Sequence, residues 1–412
     1  MELPGASKYL NQYAEPEARL LPAPAKTARY VLVIPAYQES ISNIEAAIAA
    51  VDNLILVLVV NSPNANDKET LELLALIKQR WQQSDKPGWF TLADSKQVYV
   101  VDRVTQPIEP RQGVGLARKI GADIALQLIK AGHVEEPWIY LSDADAVLPG
   151  DYFTSTKPAA PVQPLAFQLY PFQHDCAGDV AMALYEFSLL WYALGLQHAG
   201  SVYGYPSVGS CITCHASAYA KVRGFPPRAA GEDFYLLNKL RKLGNFSYRV
   251  TPIRLANRRS QRVPFGTGPA LQKIDAMTEP LAWEFYHPEV FVALKQFLQT
   301  LQSSYTAKDL TQHFAVPLFK HFVEQQKLLP LLARQQQQKP DVFQRFLNDW
   351  FDGFRTLKFV HLARDRHFQS VPFAQLWQSA VLPQPCPGEH ASDIQTASRQ
   401  IWQRLRSSSA PR

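Results

Sequence analysis

The chain has 412 residues, 47% of them hydrophobic and 19% charged, and this balance excludes a disordered or fibrous protein. Its formal net charge of +6 is modest for this length, so it permits anionic ligands without predicting a nucleic-acid partner. No apolar leader follows Met1 and no uncharged apolar run reaches membrane-spanning length, so we expect a cytoplasmic protein, soluble or peripheral at a membrane.

Strand-like and helix-like segments alternate along the first third of the chain. Residues 1–28 come first and predict an irregular leader, because the pairs Leu21-Pro22 and Ala23-Pro24 oppose helix. The predicted elements are then strand Tyr30–Ile34, ended by Pro35, helix 42–51, strand 53–60, helix 69–82, strand 97–101, helix 113–131 and strand 137–142. This alternation predicts a doubly wound, mostly parallel sheet.

The pattern changes after residue 150. We predict strand and loop over 158–178, an apolar helix over 179–197, short helices over 217–222 and 233–243, and a basic loop over 254–268. Strand signals then fade, and helices are predicted over 288–302, 310–332 and 342–360, interrupted by a glutamine-rich linker at 335–340, with a disordered tail from 407. The predicted domains are therefore the leader, an α/β domain over 29–270 and a helical region over 271–412.

Two carboxylates, Asp143 and Asp145, follow the aromatic-rich strand that ends at Ser142. Ligands of open α/β sheets bind at the carboxyl ends of the strands. Hard cations such as Mg²⁺ or Mn²⁺ take one or two carboxylates together with substrate phosphates. We therefore predict a metal and diphosphate site here, against the simpler reading of a polar turn after a strand.

A second acidic pair, Glu232 and Asp233, follows Gly231 and opens a predicted helix. Acids in the first turn of a helix commonly stabilise its positive end. The functional alternative is a carboxylate that removes a proton from an acceptor hydroxyl. Because the chain also carries Asp143 and Asp145, we favour the second reading.

Basic and glycine-rich segments offer further phosphate contacts. Arg254, Arg258, Arg259 and Arg262 form a cluster whose guanidinium groups match phosphate oxygens, although a solvated surface loop is an equal reading. Residues 113–115, Gly-Val-Gly, resemble a phosphate-binding turn only weakly.

Cysteines and aromatic residues carry weaker signals. Residues 211–215 match the C-x-x-C-H haem-attachment pattern, but such attachment belongs to exported proteins, so we expect Cys211 and Cys214 to be small buried side chains. The other cysteines are Cys176 and Cys386, and four in all are too few for a disulfide framework.

Aromatic side chains could stack on a sugar, although for Trp191 we expect core packing instead. These candidates are Trp191, Tyr192, Tyr203 and Tyr205.

Taken in order, these motifs resemble a family-two-like glycosyltransferase with the GT-A fold. The resemblance rests on Val33–Glu39, Val59–Ser62, Gly115–Ala122, Ser142–Asp145 and Val222–Asp233, and it covers roughly residues 29–268.

The resemblance implies a role for each matching residue. Donor contacts would come from Pro35, Ala36, Tyr37, Glu39, Asn61 and Arg118. Asp143 and Asp145 would hold the nucleotide diphosphate through Mg²⁺ or Mn²⁺, and Asp233 with Glu232 would activate the acceptor hydroxyl. Arg258 and Arg262 are added from the basic loop as donor contacts.

Departures from the family pattern narrow the expected activity. Asn61 replaces a frequent aspartate, which weakens a choice between uridine and guanosine, and Lys119 replaces a frequent asparagine. Residues 261–264 are not the Q-x-x-R-W signature of processive synthases. We therefore expect transfer of a single hexose, inverting at the sugar, from a nucleotide-diphospho-sugar to a hydroxyl acceptor. A retaining mechanism stays open at this point.

Two other functions remain open from the sequence alone. One is a catalytically silent module that binds a nucleotide or glycan on the same fold, and the other is a sugar nucleotidyltransferase. We expect the acceptor to be a small molecule or a lipid-linked one. The apolar segment 180–197 and the basic C-terminus would suit contact with a membrane surface, and burial in the protein core explains the apolar segment equally well.

Overall fold

The structure is a computed structural model that describes residues 2–93, 95–155, 165–176, 178–260, 262, 266–335, 338–378 and 390–407. Parts of the predicted 158–178 segment, of the 254–268 loop and of the glutamine linker, together with Cys386 and residues 408–412, lie outside this range. The described chain forms two compact units. One comprises Met1–Asp175 with Ser207–Ala270, and the other comprises Cys176–Pro206 with Leu271–Ala410.

The helices and strands are numbered here in chain order. The strands are β1 (Tyr30–Ala36), β2 (Leu54–Asn61), β3 (Gln82–Gln83), β4 (Trp89–Ala93), β5 (Lys96–Arg103), β6 (Trp138–Leu141), β7 (Ala146–Val147), β8 (Leu165–Leu169), β9 (Phe172–His174), β10 (Ile212–His215), β11 (Asn245–Tyr248), β12 (Ile253–Leu255), β13 (Glu284–Phe285) and β14 (Val371–Pro372). The α-helices are α1 (Ala6–Gln12), α2 (Pro16–Arg19), α3 (Ile41–Ala47), α4 (Lys68–Arg80), α5 (Gly113–Lys130), α6 (Val180–His198), α7 (Ala216–Lys221), α8 (Glu232–Arg241), α9 (Thr267–Asp275), α10 (Pro288–Ser303), α11 (Ala307–Gln312), α12 (Pro317–Gln325), α13 (Leu328–Ala333), α14 (Pro340–Trp350), α15 (Gly353–Arg366) and α16 (Ala391–Ser407).

The first unit is built on a mixed sheet of nine strands among the described residues. Their order is β11-β8-β10-β6-β1-β2-β5-β4-β3, and the neighbours β6-β1-β2-β5 are all parallel. Strand β10 runs antiparallel between β6 and β8. Every residue of β1 and β2 is buried, as a parallel strand covered on both faces requires. The predicted α/β fold class, with a parallel core to its central sheet, is confirmed by this topology.

Strand β1 passes through Pro35, so the expectation that Pro35 ends the strand was wrong. The carbonyl of Val33 accepts a hydrogen bond from Ser142 N at 3.0 Å, and the pairing of β1 with β6 stops there. The backbone groups of alternate strand residues point toward the same neighbouring strand, so an N–H at Pro35 would point toward β6, as the carbonyl of Val33 does. Pro35 lies beyond the end of the pairing between β1 and β6. The missing N–H of Pro35 therefore leaves no ladder bond unmade.

The N-terminal leader is not irregular, because α1 and α2 form and dock on α5. Asp123 of α5 has no exposed surface. Its Oδ1 accepts hydrogen bonds from the hydroxyls of Tyr9 at 2.6 Å and Tyr219 at 2.8 Å. Its Oδ2 accepts from Lys119 Nζ at 2.8 Å and from the backbone N–H of Glu15 at 2.9 Å. The proline pairs that suggested irregularity lie after α2 and restrict only the segment that follows it.

The second unit is mainly helical, as predicted for the C-terminal region. Phe297 of α10 lies at its core, with ring centroids 4.9–5.5 Å from those of Phe319, Phe322, Phe351 and Phe359. The single helix predicted over 310–332 is instead three pieces, α11, α12 and α13. Pro317 begins α12, and Lys327, with φ 52°, separates α12 from α13.

Helix α6 is the one described helix that is long and apolar enough to cross a bilayer. However, 67% of its most apolar window is buried inside the protein. Trp191 has no exposed surface and donates a hydrogen bond from Nε1 to Tyr286 O at 2.9 Å, and Phe187 stacks near it at 6.2 Å. These contacts confirm the core role expected for Trp191.

Candidate functional site

The predicted site residues collect at the carboxyl edge of strands β1, β2 and β6. Pro35 and Ala36 close β1, and Asn61 closes the neighbouring β2. Asn61 is 6% exposed, and in the described part of the chain its Oδ1 has no hydrogen-bond partner; the same holds for the Oγ of the fully buried Ser142 after β6. Buried polar atoms without partners are rare in proteins and are satisfied in many cases by a ligand or water.

The turn after β1 is held by residues that the sequence interpretation missed. Gln38 has a left-handed backbone with φ 51°. Its N–H donates to Thr70 Oγ1 at 3.1 Å, and its side-chain amide donates to Asp67 Oδ2 at 2.9 Å. Asp67 is the N-cap of α4, a role that its position before the helix could have revealed. This turn places Tyr37 and Glu39 at the edge of the sheet.

Glu39 binds two arginines of the basic loop. Its side chain is only 5% exposed, and it receives both Nη groups of Arg258, at 2.9 and 2.6 Å, and Nη1 of Arg262 at 2.8 Å. Arg262 Nη1 also donates to the carbonyl of Tyr37. Burial raises the pKa of the Glu39 carboxyl against the opposing charge of Arg258. Glu39 therefore anchors the arginines, beside any donor contact of its own. Arg254 and Arg259 are exposed instead.

Arg258 also reaches the strand-end acids. Its Nη2 lies 2.9 Å from Asp145 Oδ2. The short strand β7 directly after Asp145 pairs with β12, in which Arg254 lies opposite Val147, and this pairing brings the basic loop to the acid. Burial and the charge of Asp143 raise the pKa of Asp145 to about 6, although Arg258 opposes the shift. Negative charge is therefore crowded at this point even with the arginine present.

Arg118 of α5 joins the two predicted acidic pairs. Its Nη2 lies 2.6 Å from Asp143 Oδ1, and its Nε lies 2.9 Å from Glu232 Oε1. Its Nη1 donates to the carbonyl of Ser142 at 3.4 Å. Burial lowers the pKa of this guanidinium, but the charges of Asp143, Glu232 and Asp233 outweigh burial and raise it. Arg118 is thus a permanent cation between the two pairs.

Glu232 and Asp233 occupy different environments in the first turn of α8. Gly231, with φ 72°, precedes the helix in a left-handed conformation that favours glycine. The side chain of Glu232 is 6% exposed and is engaged by Arg118, whereas Asp233 is half-buried and its Oδ1 accepts the N–H of Phe234 at 2.7 Å. Burial and the neighbouring charge of Glu232 raise the pKa of Asp233 to about 7. Of the two acids, Asp233 is therefore better suited to exchange a proton near neutral pH.

The glycines at the start of α5 do not form an open phosphate turn. Gly115 N donates to the carbonyl of Arg228 at 2.9 Å. A Cβ on Gly115 would lie 2.6 Å from backbone atoms of Arg228 and Pro226, and one on Gly113 would lie 2.7 Å from the Cα of Ala229. These glycines let the segment before Asp233 pack against α5, so the weak phosphate interpretation was wrong.

The cysteines take the simpler of their two readings. Cys211 and Cys214 are buried at 2% and 0% exposure, and Cys214 lies in β10, between β8 and β6. Burial raises the pKa of the Cys214 thiol. Within the described residues, no group of three or more His, Cys, Asp or Glu side chains is arranged to hold a metal ion by itself.

Comparisons with known proteins give only distant likenesses. No protein-family model matches the sequence, and no curated protein matches it significantly. The crystal structure of S. aureus TarS 1-349 in complex with UDP-GlcNAc covers 82% of this chain and 92% of its own, at 12% identity and a TM-score of 0.37. The mannosyltransferase PcManGT from Pyrobaculum calidifontis, in complex with GDP-Man and Mn²⁺, covers 96% of this chain and 90% of its own, at 14% identity and a TM-score of 0.36. Likeness at this level assigns neither donor nor metal to this chain.

Proposed function

We propose that this chain is a metal-dependent glycosyltransferase that moves one hexose from a nucleotide-diphospho-sugar to a hydroxyl acceptor, with inversion at the sugar. One observation carries the proposal. Arg118 pairs with Asp143 after β6 and with Glu232 at the start of α8, and Arg258 pairs with Asp145, two residues from Asp143. Asp233 follows Glu232 and interacts electrostatically with Arg118 and Asp143. Carboxylates suited to a cation and a carboxylate suited to a base therefore lie in one place.

The carboxylate pair fits a divalent cation shared with a diphosphate. The side chains of Asp143 and Asp145 are 36% and 24% exposed, so their oxygens are accessible. Mg²⁺ or Mn²⁺ held by one or two carboxylates completes its coordination with phosphate oxygens and water. Such a cation would neutralise charge that develops on the departing diphosphate. Arg258 pairs with Asp145, and Arg262 shares Glu39 with Arg258, so both arginines would add cationic contacts to the same phosphates.

In the proposed reaction, Asp233 accepts the proton of the acceptor hydroxyl. The acceptor oxygen then bonds to the anomeric carbon of the sugar, while the bond from that carbon to the diphosphate oxygen breaks and its electron pair leaves with the diphosphate. The raised pKa of Asp233, about 7, supports this role because a base is most effective near the working pH. The unpartnered Oδ1 of Asn61 supports a donor pocket at the end of β2.

Calorimetry of nucleotide binding tests the proposal. UDP, GDP, ADP and TDP are titrated with Mn²⁺ and with EDTA into the wild-type chain, Asp145→Ala and Asp52→Ala. Asp52 is a matched control because its side chain is 70% exposed and it lies before the amino end of β2, whereas the predicted site lies at the carboxyl ends of the strands. We expect metal-dependent binding of one nucleotide, lost in Asp145→Ala and retained in Asp52→Ala.

Product release then separates the rival functions. Wild-type protein should release that nucleoside diphosphate from its nucleotide-sugar when acceptors are supplied, and Asp233→Asn should not. Metal-dependent binding with no turnover over a broad panel of donors and acceptors would establish a non-catalytic module. Release of pyrophosphate from a nucleoside triphosphate and a sugar phosphate would establish a nucleotidyltransferase.

Co-flotation with anionic liposomes at low salt tests a peripheral membrane location, and failure of the protein to float would refute that location.

A further inference from the structure

Arg118 has few free donors for a substrate. Its side chain is 4% exposed, and each of its three nitrogens faces a protein oxygen, from Glu232, Ser142 or Asp143. A guanidinium carries five N–H donors in a rigid plane, so holding one acid at each end fixes the distance between those acids. This geometry differs from the donor contact that the family resemblance implies for this residue.

Gly209 supplies the space in which this guanidinium lies. It begins the 3₁₀ turn Gly209–Cys211 that leads into β10. A Cβ at this position would be 2.5 Å from Arg118 Nη2 and 2.9 Å from its Cζ. Its φ is outside the left-handed region, so the backbone itself accepts alanine. The obstacle to a larger residue is therefore the end of the Arg118 side chain, which can move, rather than fixed backbone.

We propose that Arg118 is a positioning residue, seated by Gly209, that holds the donor-side carboxylate Asp143 at a fixed spacing from the acceptor-side pair Glu232–Asp233 and makes no contact with the donor. This inference rests on the proposed function. A donor contact would affect both kcat and the KM for the donor, whereas a positioning role affects kcat alone. Displacing the guanidinium disturbs the alignment of base and donor, which lowers kcat, but it removes no donor interaction, so the KM for the donor stays nearly constant.

The experiment displaces Arg118 without removing it. Gly209→Ala is compared with Gly150→Ala, a control whose added Cβ would meet only Ala50 O at an ordinary 3.5 Å. Steady-state kcat and donor KM are measured for both variants, for Arg118→Lys and for the double variant. The Nε–H signal of Arg118, recorded by ¹⁵N NMR and assigned by its loss in Arg118→Lys, reports the bridge independently of turnover.

We expect Gly209→Ala to fold normally, to shift the Arg118 Nε–H signal and to lower kcat by about tenfold to 100-fold, with donor KM within about threefold of wild type. Gly150→Ala should match wild type. Adding Gly209→Ala to Arg118→Lys should produce much less than its effect in the wild-type background, because the two residues act through one contact.

Three outcomes would overturn parts of the inference. A large rise in donor KM with unchanged kcat in Arg118→Lys would make Arg118 a donor contact. An unchanged signal and unchanged kcat in Gly209→Ala, with normal wild-type turnover, would refute the positioning role alone. No turnover by the wild-type chain with any donor would instead refute the proposed function, and the NMR signal would still report whether Gly209 seats the guanidinium.

Discussion

Replacing Asp123 by alanine should destabilise the first unit strongly, because four buried or half-buried donors lose this acceptor. Of these donors, Lys119 keeps the carbonyl of Tyr13 at 2.8 Å and Glu15 Oε1 at 3.0 Å. The carboxylate receives Tyr9, Tyr219, Lys119 and the backbone of Glu15 at 2.6–2.9 Å and has no exposed surface. Removing one partner of a buried ion pair costs about 3–5 kcal/mol. Since a whole domain is stable by only about 5–15 kcal/mol, this loss is a large fraction of the total.

Urea unfolding followed by circular dichroism measures this cost. Asp52→Ala is the control, because its ion pair with Lys96 is 3.5 Å long and the Asp52 side chain is 70% exposed, so its loss should change the unfolding free energy by less than about 1 kcal/mol. Tyr9→Phe should fall between the two, since it deletes one donor to a charged acceptor, worth about 1.5–3 kcal/mol. If Asp123→Ala unfolds within about 1 kcal/mol of wild type, the N-terminal segment is not held by this network.

Three further predictions concern Asp233 at the start of α8 and Asp145 after β6. Because a base must be deprotonated and the pKa of Asp233 is raised to about 7, kcat/KM should fall about tenfold per pH unit below 7, as a pH–rate profile would reveal; a flat profile from pH 5 to 8 contradicts it. Because the pKa of Asp233 is raised in the folded state, protonation of this carboxyl stabilises the fold, fully below about pH 4 and no longer once pH has risen through 7. The unfolding free energy of Asp233→Asn relative to wild type should therefore increase from pH 4 to pH 8 in urea melts. The proposed role of Asp145 as a metal ligand requires its ionised form, and burial together with the charge of Asp143 raises its pKa to about 6. Calorimetric binding of nucleotide with Mn²⁺ should therefore weaken from pH 7 to pH 5, whereas any EDTA-resistant binding should not.

The central strands and the acids that follow them could be predicted because their signals are local. Apolar runs gave β1, β2, β5 and β6 to within a few residues, and Asp143 and Asp145 follow the last of these directly. Their roles as metal and donor ligands remain predictions. The two-residue edge strand β3, Gln82–Gln83, was missed because it carries no apolar pattern. Its neighbour β4 was also missed, although its sequence WFTLA is apolar.

The partners of the predicted residues could not be read from the sequence, because they are set by tertiary topology. Glu39 meets Arg258, 219 positions away, only because β7 pairs with β12. The contact of Gly209 with Arg118 depends on where α5 packs against the sheet. The docking of α1 and α2 could not be predicted for the same reason. An aspartate in an apolar helix indicates a buried partner, but the sequence does not show that Tyr9 is that partner.

The seating of Tyr9 between α5 and α7 has a consequence for how this chain matures. Tyr219 is translated about 210 residues after Tyr9, which at roughly 5–20 residues per second is about 10–40 s later. During that interval α1 has been synthesised, but α7, which forms one side of its docking site, has not. Such long sequence separation slows folding, because the loop must close before any contact rewards it. In a pulse of hydrogen exchange during refolding, the amides of residues 6–12 should therefore gain protection after those of the central strands.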